Sequence, residues 1–318
     1  MSVIRTLQLT RYFGEKAAVK DLSITIERGE IFGLLGHNGA GKTTSIRLLT
    51  GILSGHGGTM EVLGLSPEKD GPAIRARTGV LPETHALDER MTAFDTLRLH
   101  GLTFGWAPRA IPARIEEVLA AFDLSEQTHQ RIRRLSKGMK QRLALARTLF
   151  HRPELIFLDE PTSALDPVAR QSVHTFLTGV VQSEGATAVV CTHNLNEAQA
   201  ICDRVGVLEN GRLIALGTPA ELIAGLSEQA TRADHPVLFE VPPEEMDRAC
   251  EVLKQAHSRI HVEKNSHSLR VHGVGRAQVP DVVECLVQHH IRIYAINVPP
   301  VSLTDVYMAL HSPRNAGQ

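Results

Sequence analysis

The chain has 318 residues, enough for one large domain and a smaller one. Its 34 basic and 35 acidic side chains leave a formal net charge of −1, so no global field marks it for nucleic acid or an anionic membrane, and no nucleic-acid partner is expected. No apolar run approaches the ~20 residues of a membrane-crossing helix, so any path through a bilayer would have to come from another chain. The N-terminal MSVIRTLQLTRYFG lacks the apolar core of a secretory signal. Cys191, Cys202, Cys250 and Cys285 are scattered and form no CxxC pair, which points to a reducing compartment with no disulfide partner.

Residues 3–10 (VIRTLQLT) and 22–26 (LSITI) alternate apolar and polar, the pattern of half-buried antiparallel strands. EIFGLLG (30–36) is instead almost wholly apolar, runs into a glycine-rich stretch, and is followed from Lys42 by a helical pattern. A buried strand, a glycine turn and a helix N-terminus in that order are an α/β signal. Roughly 84–150 reads as mostly helical and too long for a simple crossover, hence as a helical subdomain inserted into the core. Buried strands are expected at Leu155–Leu158 and Thr187–Cys191, each leading into helix, and RVGVLENGRLIALG carries Asn210-Gly211 between apolar runs, a strong hairpin signal. The core therefore spans 1–226, and the polar 227–235 is a linker. From 236 to 318 the pattern restarts as strand (VLFEV), helix (Pro243–Ala256), strands (RIHVE, SLRVH), helix (Ala277–His289) and strand (IRIYAI). That order, βαββαβ, predicts a small α+β domain of ferredoxin-like arrangement.

Gly36-His37-Asn38-Gly39-Ala40-Gly41-Lys42-Thr43 fits GxxxxGK[ST]. Its glycines let the backbone curl so that N–H groups point at phosphate oxygens, and the helix that starts near Lys42 adds its positive end. Lys42 is expected to reach the outer phosphates, the Thr43 hydroxyl to ligate Mg²⁺, and Thr44 to add a phosphate contact. The apolar strand 155–158 ends in Asp159-Glu160, which places both acids at the carboxyl edge of a sheet. Asp159 is suited to hold Mg²⁺, and Glu160 to accept a proton from an attacking water.

Leu135-Ser136-Lys137-Gly138-Met139 resembles the LSGGQ signature of ABC ATPases, and KQRLALARTLFHRPELIFLDEPTSALDP follows the pattern of that family closely. The resemblance covers about 3–222. It implies a P-loop NTPase core of ABC type, ATP and Mg²⁺ as ligands, and an ATP-hydrolysing subunit that drives a separate membrane permease from the cytoplasmic face. It also implies a second cassette, expected as a homodimer, in which Ser136 and Gly138 of one copy face the γ-phosphate held by the other. Ser163-Ala164-Leu165-Asp166 looks like the D-loop that crosses such an interface. His193 matches the switch histidine, and Phe13, ahead of Tyr12, matches the aromatic that stacks on adenine. Two departures stand out: the signature carries Lys137 and Met139, and Glu83 in Val80-Leu81-Pro82-Glu83 stands where most of the family has glutamine. An acid at 83 can still reach Mg²⁺ or the attacking water, but it adds negative charge near the phosphates. That glutamate is similar to the cassettes of type-2 ABC exporters, and the C-terminal segment ending in SLTDVYMAL resembles the small domain those cassettes carry. Export is expected on these two cues; the alternative is a non-transport ABC ATPase acting on ribosome or DNA.

Overall fold

Two long strands open the chain: β1 (Ser2–Phe13) and β2 (Lys16–Glu27) pair antiparallel. The computed structural model describes residues 1–84, 86–163, 165–229, 236–256, 260–265, 268–298 and 302–310. In chain order there follow β3 (Ile31–Leu35), α1 (Lys42–Leu49), β4 (Gly57–Val62), α2 (Pro67–Ala76) and β5 (Thr78–Leu81). Three helices, α3 (Ala93–Thr103), α4 (Ile111–Ala121) and α5 (Lys137–Leu149), occupy the long stretch before β6 (Leu155–Asp159). Next come α6 (Pro167–Glu184), β7 (Thr187–Thr192), α7 (Leu195–Ile201), β8 (Arg204–Glu209), β9 (Arg212–Gly217) and α8 (Pro219–Gln229). The remaining elements are β10 (Val237–Glu240), α9 (Met246–Ala256), β11 (His261–Lys264), β12 (Leu269–His272), α10 (Val279–Gln288), β13 (Ala295–Asn297) and α11 (Leu303–Leu310).

The central sheet runs β5-β6-β7-β3-β8-β9, parallel except for β9 at its edge. Every residue of β3, β6 and β7 is buried, as expected of parallel strands covered on both faces. A second sheet, β2-β1-β4, is antiparallel and turns Ile4, Leu9, Leu22, Ile24 and Ile26 into one core with Phe32, Ile46, Leu49, Phe157 and Val189. Strand β4 escapes the sequence reading because GGTMEV neither alternates nor forms an apolar run. The Asn210-Gly211 hairpin forms as expected, with both residues at positive φ (48° and 79°).

Helices α3–α5 form the inserted helical segment. Thr92 caps α3 through its hydroxyl, which accepts from the Asp95 N–H. The buried Arg114 guanidinium on α4 donates to the Leu149 and Phe150 carbonyls and so caps the C-terminal end of α5. Near that end His100, Phe104, Phe150 and His151 pack ring against ring. His151 Nε2 lies 3.1 Å from the Thr78 carbonyl and must carry the proton, leaving Nδ1 to accept from His100 Nε2 at 3.4 Å. Burial holds both imidazoles neutral: it pushes His100 down to about 3, helped by His151 and Arg147, and His151 down to about 4.

The chain divides into two units, Met1–Pro219 and Ala220–Gln318. In the second unit the strand order is β11-β12-β10-β13, all antiparallel, with β10–α9–β11–β12–α10–β13 giving the βαββαβ order. Phe239, Ala249, Leu253, Leu269, Val271 and Leu286 fill its own core. One expected element is shorter than its pattern: of IRIYAI only the last residues join the sheet. The Ile291 N–H is taken by the Leu286 carbonyl at the end of α10, and the Arg292 N–H by the Glu245 carboxylate, so neither is free to enter the ladder. The last part of the linker (230–235), Ala164 of the D-loop pattern, the start of RIHVE at Arg259, and 311–318 lie outside the described residues. No described helix is long and apolar enough to cross a membrane.

Candidate functional site

The register of the central sheet assembles the site. Leu81 is level with Leu158, Asp159 with Cys191, and Leu35 with Thr192. The chain therefore leaves four neighbouring strands at one edge, delivering Glu83, Glu160, His193 and the loop from Gly36 to the same place.

The loop from Gly36 closes on α1. Gly41, at φ 113°, caps that helix with no side chain donating or accepting, and no acid lies in the first turn. Its leading N–H groups and positive end are thus open to an anion. A Cβ on Gly41 would meet the Ala18 carbonyl at 2.4 Å, so this position requires glycine on two counts. Ala40 is buried, and its N–H bonds the His37 carbonyl. The hairpin turn braces the loop from behind: the Gly211 N–H donates to Ala40, and Lys20 donates to Gly211. Lys42 is only 6% exposed; its ammonium donates to the carbonyls of Gly36 (2.5 Å) and His37 (3.3 Å) and lies 3.7 Å from Glu160 Oε1.

Thr43 Oγ1 donates to Asp159 Oδ2 at 2.6 Å, joining the helix start to the end of β6. Burial raises the proton affinity of the Asp159 carboxyl; the Thr43 hydrogen bond and Lys42 oppose this, while Glu83 and Glu160 add to it. A buried carboxylate, a hydroxyl in contact with it and a further carboxylate on the same cleft are all hard oxygen donors, the set that suits Mg²⁺. Glu160 leaves the strand at φ 53°. Its Oε1 accepts from the His193 backbone N–H (3.0 Å) and faces His193 Nδ1 (2.7 Å).

An open cleft of about 390 Å³ gathers most of the residues singled out from the sequence: Phe13, Asn38, Gly39, Gly41, Lys42, Thr43, Thr44, Glu83, Asp159 and Glu160 all line it. Phe13 sits where β1 ends, 48% exposed, with the Arg11 guanidinium 5.0 Å from its ring centre. Ser136 and Gly138 are not among the lining residues. Ser136 instead caps α5, its Oγ accepting from the Met139 N–H, and is exposed.

Some residues escaped the sequence reading. Lys16 and Ala18 line the cleft, and only the closeness of Lys16 to Phe13 hints at it. Behind Glu160, Thr162, His174, Thr192 and Glu197 form a buried polar cluster. Its trace in the sequence is Asn194 followed three residues later by Glu197, a cap pattern whose side chain does accept from the Glu197 N–H. Buried Gln141 of α5 donates to the Pro161 carbonyl, tying the signature helix to the loop that follows Glu160.

The family model described as ABC transporter matches residues 19–163, from β2 through the phosphate loop to the turn after Glu160. Over 298 residues the chain is 35% identical to the Nod factor export ATP-binding protein I of Bradyrhizobium diazoefficiens, covering 94% of this chain and 92% of that protein. The chain belongs to the ABC transporter family. Among solved structures it resembles the ATP-binding subunit of an ABC transporter, at 29% identity and a TM-score of 0.65 over 71% of this chain and 93% of that one. It shares its fold as well with a dimeric ATP-binding cassette in a post-hydrolysis state bound to ADP and Pi (24% identity, TM-score 0.63, 68% of this chain and 98% of that one). As an ABC transporter ATP-binding subunit the chain is an ATPase.

Proposed function

We propose that this ABC ATP-binding subunit hydrolyses ATP in the cleft at the strand ends and drives export through a separate membrane permease. The observation that carries the reading is the convergence of Lys42, Thr43, Asp159, Glu160 and the Glu160–His193 contact at one sheet edge. Phe13 offers a ring face to adenine, while the backbone of residues 36–41 and the start of α1 take the phosphates. Thr43 and Asp159, with Glu83 beside them, would hold Mg²⁺, which supplies charge neutralisation between the outer phosphates. Glu160 accepts the proton of the attacking water or orients it, and Lys42 and His193 stabilise the charge that develops on the transferred group.

Ser136 is exposed and stands apart from the cleft lining, which suits a residue that serves the site of a second copy. Two cassettes, in this reading a homodimer, close on ATP and part after hydrolysis. The likeness to a dimeric cassette bound to ADP and Pi supports this. Export is supported by a likeness to a Nod factor export ATP-binding protein that runs through both units of the chain. The permease places the subunit on the cytoplasmic face of the membrane, and the units are assigned as a cassette to 226, a linker and an accessory domain from 236.

Glu160→Gln tests the core of this. Turnover is expected to fall by ~10²-fold or more while an ATP-bound dimer accumulates, seen by light scattering. Tagged Glu160→Gln protein with ATP is then expected to recover a multi-span hydrophobic protein from detergent-solubilised membranes. Undiminished phosphate release would remove Glu160 from the role. Recovery of ribosomal or DNA-bound partners alone would overturn the transport reading.

A further inference from the structure

Glu197 is a carboxylate held at 3% exposure, on α7 and away from the cleft lining, and the hydrolytic chemistry described above does not use it. A buried carboxylate needs donors, and this one finds them on three separate elements. Its Oε1 accepts from the Thr162 hydroxyl at 2.7 Å, in the turn just after Glu160. The same oxygen lies 3.2 Å from Nε2 of His174 on α6, itself 8% exposed. Carboxylates only accept when ionised, so that imidazole nitrogen carries the hydrogen. Its Oε2 lies 3.1 Å from the Thr192 hydroxyl, at the end of β7.

Thr192 is the pivot. The same hydroxyl lies 3.3 Å from Oε2 of Glu160 and accepts from the Asn194 N–H at 3.0 Å. A hydroxyl has one proton to give, so two carboxylates compete for it. Glu160 Oε1 is already engaged by the His193 backbone and ring. Its other oxygen is within reach of the Thr192 hydroxyl, slightly farther than Glu197 is, and when Thr192 donates to Glu160 the carboxylate is held at both oxygens.

We propose that His174 is a positioning residue for Glu160, acting through Glu197 and Thr192. By donating to Glu197, His174 joins Thr162 in satisfying the buried carboxylate and leaves the Thr192 proton to Glu160. Without the His174 donor, Glu197 draws that proton to itself, and Glu160 loses the contact that holds its second oxygen. The effect belongs to the chemical step: neither His174 nor Glu197 lines the cleft, so ATP binding does not depend on them.

The inference rests on Glu160 acting on the attacking water, and the test separates the two ideas. Steady-state ATP hydrolysis is measured on the full chain for His174→Phe, His174→Gln, Thr192→Val and Glu160→Gln, with thermal melting to verify folding. His174→Phe keeps a ring but no donor, and kcat is expected to fall ~10-fold with KM for ATP within about 2-fold. His174→Gln places an amide N–H near the Nε2 position and is expected to stay within about 3-fold of the parent kcat. Thr192→Val is expected to match His174→Phe, and the double variant to be no slower than either, because both cut the same link. Should His174→Phe melt early, Thr192→Val carries the test alone, and a parent-like kcat in it overturns the proposal. So does a parent-like kcat in folded His174→Phe, an equal loss in the Phe and Gln variants, or a rise in KM in proportion to the loss of rate. Glu160→Gln distinguishes the failures: if it retains turnover the role of Glu160 falls, and if it alone is inactive only the His174 link falls.

Discussion

Glu160 sits in the left-handed region at φ 53°, a conformation that costs a non-glycine residue of order 1 kcal/mol or more. The surroundings hold it there: its N–H bonds the Cys191 carbonyl, and its carboxylate bonds the His193 N–H. Gly41 shows the opposite arrangement, a strained position filled by the residue that tolerates it. Gly41→Ala would bring a methyl against the Ala18 carbonyl, whereas Gly39, at φ 86°, has nothing within 4 Å of where a Cβ would lie. The Gly41 variant is therefore expected to lose ATP affinity by ~10-fold or more, because the loop must shift to relieve the contact. Gly39→Ala is expected to lose about 1 kcal/mol of stability and less affinity. Titration with a fluorescent ATP analogue compares them, and equal losses would place the loop's requirement in φ alone. At this scale the sequence was most legible where spacing encodes chemistry, as in GxxxxGKT and the terminal Asp159-Glu160. His174 and Glu197 were not legible, because a histidine on one helix and a glutamate on another carry no shared spacing; only the contact of α6 with α7 in the fold joins them.

Among the elements, the fully buried strands gave themselves away by composition, and β3, β6 and β7 are three of the four strands that carry the site. Their order in the sheet was not readable, since β3 is inserted between β7 and β8 although it precedes both in the chain. The length of the helical stretch was readable, but its attachment was not. That attachment includes the His151–Thr78 hydrogen bond, which links the end of α5 to the start of β5. Because the imidazoles of His100 and His151 are held neutral in the fold, the unfolded chain binds more protons than the native one as pH falls. Their contribution is complete above about 6.5, the ordinary histidine value, and is lost progressively toward about 4 and about 3. Lowering the pH from 7 to 5 is expected to cost the cassette on the order of 2 kcal/mol for each of these two residues. His100→Phe keeps the aromatic packing and removes one titrating ring, so the drop in melting temperature between those two pH values should shrink. An unchanged drop would mean that the acid sensitivity arises elsewhere.

For the molecule as a whole, the restart of pattern at 236 marks a second hydrophobic core, and the two core clusters have no residue in common. The βαββαβ order was legible because each segment is short and has its own period. The shortened β13 was not, because the Glu245 side chain and the end of α10 claim N–H groups that an apolar run would assign to a ladder. Separate cores make a prediction about cooperativity. Phe239 is fully buried in the small unit, and Phe239→Ala removes the largest side chain type from its core. The expected loss is about 3–5 kcal/mol, against a total stability on the order of 5–10 kcal/mol for a unit of this size. In calorimetry of the full chain this is expected to lower one transition sharply. ATP with Mg²⁺ binds the cassette and is expected to raise the other transition by the same amount in parent and variant, as ligand linkage requires when the binding unit is intact. If Phe239→Ala abolishes the ATP-dependent rise, the small core is part of what keeps the nucleotide cleft folded. If the rise survives, the cassette holds its site with its own core, and the C-terminal unit is free to serve a different purpose from ATP binding.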